Sequence, residues 1–312
     1  MDQQQQCVLV AGGINVDIIA HASGSLLSGD SVPGRIIESP GGVGRNIAVN
    51  LARLGIRTSL LGVVGADFRG DWVLDDAIAS GVNVDHVHRV SSLATSTYVV
   101  IADQSGHTGP AVSDMRIMDE IAADWLQSEM NEIGPCSALV FDCNLACDVI
   151  QRLMLWACDH QVPVFAEGVS ATKVIRLHRS LSNIHTLKIN STEALSLLSQ
   201  LQLTAESPVQ AAEELLKAGV HRVVISQGES GVILADNQGV RSVSSEPCQV
   251  RADTGAGDAL MSGLVAAFIL GVPDARQIKF ALVCAALTLE SDQACDPDLS
   301  IDKVHRRIGV MG

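Results

Sequence analysis

The chain has 312 residues, 47% of them hydrophobic and 18% charged, with a formal net charge of −14. That balance describes a folded protein and not a disordered one, and the length suffices for one large α/β core. The acidic surplus leaves no basic surface to neutralise a phosphate backbone, which argues against nucleic acid or an anionic membrane as partner.

The opening M-D-Q-Q-Q-Q-C lacks the basic residues and long apolar run of a signal peptide. The chain's apolar runs, such as 264–270, are too short to cross a bilayer. Eight cysteines are scattered without a C-x-x-C pair. They read as reduced, mostly buried thiols of a cytoplasmic protein, not as a metal site.

Residues 7–12 form a short apolar run ending in glycines, a buried first strand. Residues 23–40 are Ser-, Gly- and Pro-rich with short β-favouring pieces. The run G-G-V-G-R-N-I-A-V-N-L-A-R-L-G then opens a helix, with Ile47, Leu51 and Leu54 at helical spacing and Gly55 as its C-terminal stop. A strand over 58–64 and a helix over 71–80 follow. Residues 84–112 break the alternation with β-rich text and a turn at 103–106. Together with 23–40 they predict a small antiparallel sheet built from two separate excursions. Gly12-Gly13 and Gly41-Gly42 are placed to hinge it as a lid. From 115 onward, strands at 138–141, 162–165, 186–189, 222–226 and 231–235 alternate with helices such as 208–218. That pattern predicts a parallel sheet covered on both faces, with ligands at the carboxyl ends of its strands.

The chemistry-bearing stretch is D-T-G-A-G-D at 253–258, which leads into the apolar segment A-L-M-S-G-L-V-A-A-F-I-L-G. Small residues Gly255, Ala256 and Gly257 before a buried helix let an anion approach the unpaired N–H groups at its positive end. Asp258 in the first turn is expected to stay ionised in that field, and an anion hole and a carboxylate on one turn suit the transfer of a phosphoryl group to an alcohol. The plainer reading is a tight turn with a dipole-complementing Asp.

Other positions also carry two readings. Asn15 and Asp17 follow the first strand; Asp17 either accepts hydrogen bonds from sugar hydroxyls or is a turn residue. Gly42 and Asn46 either admit a ligand or simply open a helix. Asn190 and Glu193 share one face of a first helical turn, as holders of the water shell of Mg²⁺ or as a capping box. Ser226, Gly228 and Gly231 either present N–H groups to phosphates or form a plain hairpin. His185, beside a strand, reads as structural.

Taken together, G-G-V-G-R-N, N-S-T-E and D-T-G-A-G-D occur in the order of the signatures of the ribokinase-like (PfkB) carbohydrate kinase family, and the chain resembles that family over essentially its whole length. The resemblance implies one α/β domain over 1–312, with a central, mostly parallel sheet flanked by helices and a β lid from about 18–40 and 90–113. It implies ATP-dependent phosphorylation of the 5′-hydroxyl of a nucleoside, pseudouridine first. The alternatives are another nucleoside, a free pentose such as ribose, or a nucleoside-binding sensor without turnover.

By the same resemblance Asp258 is the base, and Gly255, Ala256 and Gly257 form the anion hole. Glu193 with Asn190 organises Mg²⁺. Asn15, Asp17, Gly42 and Asn46 hold the acceptor, and Thr95, Ser96, Thr97 and Asp114 read its base. Lys188, Ser226, Gly228 and Gly231 line the ATP site, with Ala281, Cys284 and Ala285 beside adenine. Ala252 stands where many relatives carry an Asp associated with a monovalent cation, so the resemblance leaves K⁺ as a possible cofactor while this side chain speaks against activation through it. Ala166-Glu167-Gly168 replaces an Asp-Pro, leaving Glu167 to act on Mg²⁺ waters. An exposed lid edge invites pairing into a homodimer.

Overall fold

The computed structural model describes residues 7–26, 29–102, 108–134, 136–252 and 254–310. The 103–106 turn and Asp253 lie outside them. The larger sheet is built from β1 (Cys7–Ala11), β4 (Arg57–Gly65), β5 (Val87–Val90), β8 (Ala138–Asp142), β9 (Val164–Glu167), β10 (Thr186–Asn190), β11 (Arg222–Ser226), β12 (Val232–Asp236) and β13 (Gly239–Val243). These nine strands run in the order β13-β12-β11-β10-β9-β8-β1-β4-β5. All neighbours pair in parallel except β11–β12 and β12–β13. Strands β1 and β8 are near-continuous apolar runs because both of their faces are covered, as a parallel sheet with helices on each side requires.

One cover contains α1 (Val43–Arg53), α7 (Ala256–Ile269) and α8 (Asp274–Leu289). Opposite it lie α3 (Ala123–Ile133), α4 (Cys147–Asp159), α5 (Ser191–Gln200) and α6 (Pro208–Lys217). The remaining helices are α2 (Phe68–Ala79) and α9 (Ile301–Val310). Ala259 to Ala267 of α7 are all buried, as its all-round apolar sequence demands.

The second sheet contains β2 (Asn15–Ala22), β3 (Gly34–Gly41), β6 (Ser96–Ala102) and β7 (Thr108–Asp114), in the order β3-β2-β6-β7. It differs from the expected antiparallel sheet in three respects. Residues 15–22 form a central strand, β2 pairs with β6 in parallel, and 87–90 join the edge of the large sheet. Asp17 is therefore a strand residue, not a turn residue. Gly12 and Gly13 are also explained by packing and not by hinge freedom. A Cβ on Gly12 would lie 2.3 Å from Asp142 Oδ2, and one on Gly13 2.7 Å from Asn144 Nδ2.

Candidate active site

Gly255 caps α7 with φ +83 and no side chain closes that end. A Cβ there would lie 1.9 Å from the Ala294 carbonyl oxygen, so the left-handed conformation and the crowding both require glycine. The amides of Ala256, Gly257 and Asp258, in the first turn, have no intrahelical acceptor. Lys188, on β10, closes the same space, because a Cβ on Gly257 would lie 2.8 Å from its Nζ. Open amides, one cation and one carboxylate thus converge.

Asp258 is half-buried and accepts a 2.9 Å bond from Asn46 Nδ2 in the first turns of α1. Burial pushes its carboxyl up to about 7, with Asp142 and Asp17 adding to that and Asn46 and Lys188 opposing it. Loss of solvent thus opposes the helix field expected to keep it ionised. A carboxyl poised near neutrality is suited to take a proton.

On the acceptor side, Gly42 is the N-cap of α1 at φ +98, and a Cβ would sit 2.4 Å from the Gly13 carbonyl oxygen. Asn15 donates to Asp17, whose carboxyl burial lifts to about 6 against the pull of Asn15 and Arg45. Gly41 is small because a Cβ would lie 2.2 Å from Asp17 Oδ2. Asn15, Asp17, Gly42 and Asn46 are therefore brought together near Asp258.

The four base-reading candidates are not brought there as a set. The Thr95 hydroxyl donates to Asp67 at 2.7 Å and accepts from Gly65 N at 3.0 Å, which commits it to the turn before α2. Thr97 donates to the Thr95 carbonyl at 3.2 Å. Asp114 is held at an exposed edge by Arg116 at 2.7 and 2.9 Å, which keeps its carboxyl low, at about 2. Ser96, 1% exposed and opposite Asn15, keeps a hydroxyl without a partner.

The nucleotide-side residues stand at the carboxyl ends of β9, β10 and β11. Lys188 donates to Glu167 Oε1 at 2.9 Å, both being almost fully buried. Burial opposes the Lys188 charge, but Glu167 holds it above the ordinary ammonium range. Burial pushes Glu167 up to about 8, against Lys188, and its Oε2 has no partner.

Asn190 and Glu193 form the capping box. Asn190 Oδ1 accepts from Glu193 N at 2.9 Å, while Glu193 accepts from Asn190 N at 2.9 Å and Nδ2 at 2.7 Å. With both its oxygens so engaged and the residue 3% exposed, Glu193 supplies no bare cage for an ion. Among the described residues no group of three or more His, Cys, Asp or Glu could hold a metal. Mg²⁺ fits such a place, since it keeps several waters and takes substrate phosphates as ligands.

Ser226 ends β11, and Gly228 and Gly231 lie in the turn of the β11–β12 hairpin. Gly231 is at φ +90 with a Cβ position only 2.1 Å from the Val243 carbonyl oxygen, whereas Gly228 is open. Ala281 and Cys284 are fully buried, and a Cβ on Gly263 of α7 would approach them at 2.6 and 3.1 Å. They are small so that α7 and α8 can touch, and neither can meet adenine. Ala285 is half-buried and remains available. His185 stacks on His221 at 5.2 Å, and burial lowers it to about 4, a structural imidazole.

Against this geometry, residues 5–301 match the model of the pfkB family carbohydrate kinases. The chain is a member of that family. The kinase is 37% identical over 306 residues to the pseudouridine kinase of Escherichia coli K12, covering 97% of this chain and 96% of the relative. It superposes on a carbohydrate kinase from Agrobacterium tumefaciens with TM-score 0.85 and 29% identity, covering 97% of each chain. A ribokinase from Arabidopsis thaliana, solved with ribose and ATP, shares the fold at TM-score 0.83 and 22% identity, over 97% of this chain and 98% of that one.

Two residues at the kinase's site were missed by sequence reasoning. Asp142, fully buried at the end of β8, accepts from Gly13 N at 2.8 Å and from Asn144 N at 2.8 Å. No local pattern marks it. Arg45 is 3% exposed. Its signal in the sequence is a cation in the first turn of a helix whose Ile47, Leu51 and Leu54 mark a buried face. Among the described residues no helix is long and apolar enough to cross a membrane.

Proposed function

We propose that this family member phosphorylates the 5′-hydroxyl of a nucleoside at the expense of ATP, with pseudouridine as its acceptor. The observation that supports it best is the 2.9 Å bond from Asn46 to Asp258, which joins the acceptor side to the open amides of α7. The 37% identity to a pseudouridine kinase supports the choice of acceptor.

In this reading the base is Asp258, which takes the hydroxyl proton as the new P–O bond forms and the bond from the γ-phosphorus to ADP breaks. Gly255 places the amides of Ala256, Gly257 and Asp258 so that, with Lys188, they hold the charge on the transferring group. Asp17, Asn15, Gly42 and Asn46 orient the ribose. Glu193 and the unpartnered oxygen of Glu167 would hold the waters of a Mg²⁺ ion, which would supply neutralisation of phosphate charge. Ser226, Gly228, Gly231 and Ala285 line the nucleotide side.

The small sheet would act as a lid that excludes water. Its outer face supports a homodimer: the register places Val99 opposite Val112 and Ala20 opposite both Ile36 and Ile101. Ile36 and Val112 are 69% and 70% exposed there. The reduced state of the cysteines, all free, suits the cytoplasm.

A coupled ATP-consumption assay with pseudouridine, uridine, adenosine and ribose tests this. Turnover of pseudouridine is expected. Turnover of ribose and none of pseudouridine would refute the acceptor, and nucleoside binding without ATP consumption would make the protein a sensor.

A further inference from the structure

We propose that Arg45 is a positioning residue for the catalytic base, acting through the side-chain amide of Asn46; this rests on the reading of Asp258 as that base. Arg45 Nη1 donates to Asn46 Oδ1 at 2.9 Å, and Nη2 donates to Asp76 of α2. The same Nη1 reaches the Pro40 carbonyl at 3.4 Å and Cys295 Sγ at 3.8 Å, while Nε is buried without a partner.

A guanidinium has only donors, so the atom of Asn46 that faces it must be the amide oxygen. The NH₂ group is thereby turned toward Asp258, which it meets at 2.9 Å. With the amide reversed, NH₂ would face the guanidinium and oxygen would face the carboxylate, and both bonds would be lost. Arg45 thus fixes which end of Asn46 the base meets. One Nδ2 hydrogen holds Asp258 Oδ2, and the other remains for the acceptor oxygen. Asp76, 38% exposed at its side chain, holds the far end of the guanidinium. The chain Asp76–Arg45–Asn46–Asp258 carries position from α2, beside the small sheet, to the first turn of α7.

Arg45→Lys keeps the charge but loses the fork that grips Asn46 and Asp76 together. The expected result is a kcat loss of at least about tenfold with a small change in KM for ATP, since misplacement of a reacting group by about 1 Å costs that much or more. In an Asn46→Ala background the same change should cost less than about threefold, because the path is already cut. Equal losses in the two backgrounds would overturn the proposal. Asp76→Asn, at a more exposed position, supplies a second cycle should Arg45→Lys fold poorly; its loss should likewise vanish in Asn46→Ala, and persistence there would count against the chain. A crystal structure of Arg45→Lys reads the claim without turnover. Asn46 should have left Asp258, and a retained contact near 2.9 Å sinks the proposal even if the protein proves to be a sensor.

Discussion

Asp258 shows how a single side chain is set by opposing forces. Burial lifts its carboxyl to about 7, and Asn46 and Lys188 pull the other way. Only the ionised form accepts a proton, so kcat/KM should fall as pH drops below about 7, and Asp258→Asn should lose roughly a hundredfold or more in kcat at pH 8. A flat pH–rate profile from pH 6 to 8 would contradict the assignment. Stability carries the reverse sign. The folded pKa lies above the unfolded 3.8, so the native state holds a proton through the window from about 4 to 7 that the unfolded chain has released. The group therefore lowers stability as pH rises through that window. Asp258→Asn should melt above the parent protein at pH 8 and lose that advantage toward pH 4, which calorimetry at the two pH values checks.

Among the elements, α7 and its glycine entry were legible because small residues followed by an all-apolar run leave few other structures. Helix α1 was legible from its 3.6-residue spacing, and β8 to β11 from their alternation with helices; β12 follows β11 through a hairpin turn and pairs with it antiparallel, which the alternation does not record. Strand β2 was not, since N-V-D-I-I-A-H-A begins with polar residues and its pairing with β6 joins distant segments that no local pattern records. Ala281 and Cys284 misled for a related reason: small residues on a helix suit a ligand or a neighbouring helix equally well, and only Gly263 opposite them decides. At the cap of α7 the crowding against Ala294 yields a sharp expectation. Gly255→Ala must leave φ +83 or displace the Ala294 carbonyl; either moves the amides. We expect kcat to fall about a hundredfold or more while circular dichroism stays near that of the parent. Near-normal kcat would mean those amides do not serve the transferring group.

For the whole molecule, the exposed apolar face of the small sheet is the feature that composition concealed, since an acidic chain gives no hint of where its apolar surface lies. Ile36 and Val112 bring it to solvent on two different strands, and contiguous exposed apolar surface marks an interaction face. Sedimentation should give a dimer for the parent chain and a monomer for Ile36→Lys combined with Val112→Lys, with kcat reduced if the partner steadies the lid. An unchanged dimer would place the interface elsewhere. The bond from Asn46 to Asp258 spans 212 positions of sequence. A polypeptide cut short before α7 therefore carries Asn46 and the strand ends of the nucleotide side, but neither the carboxylate nor the open amides that the two sides share.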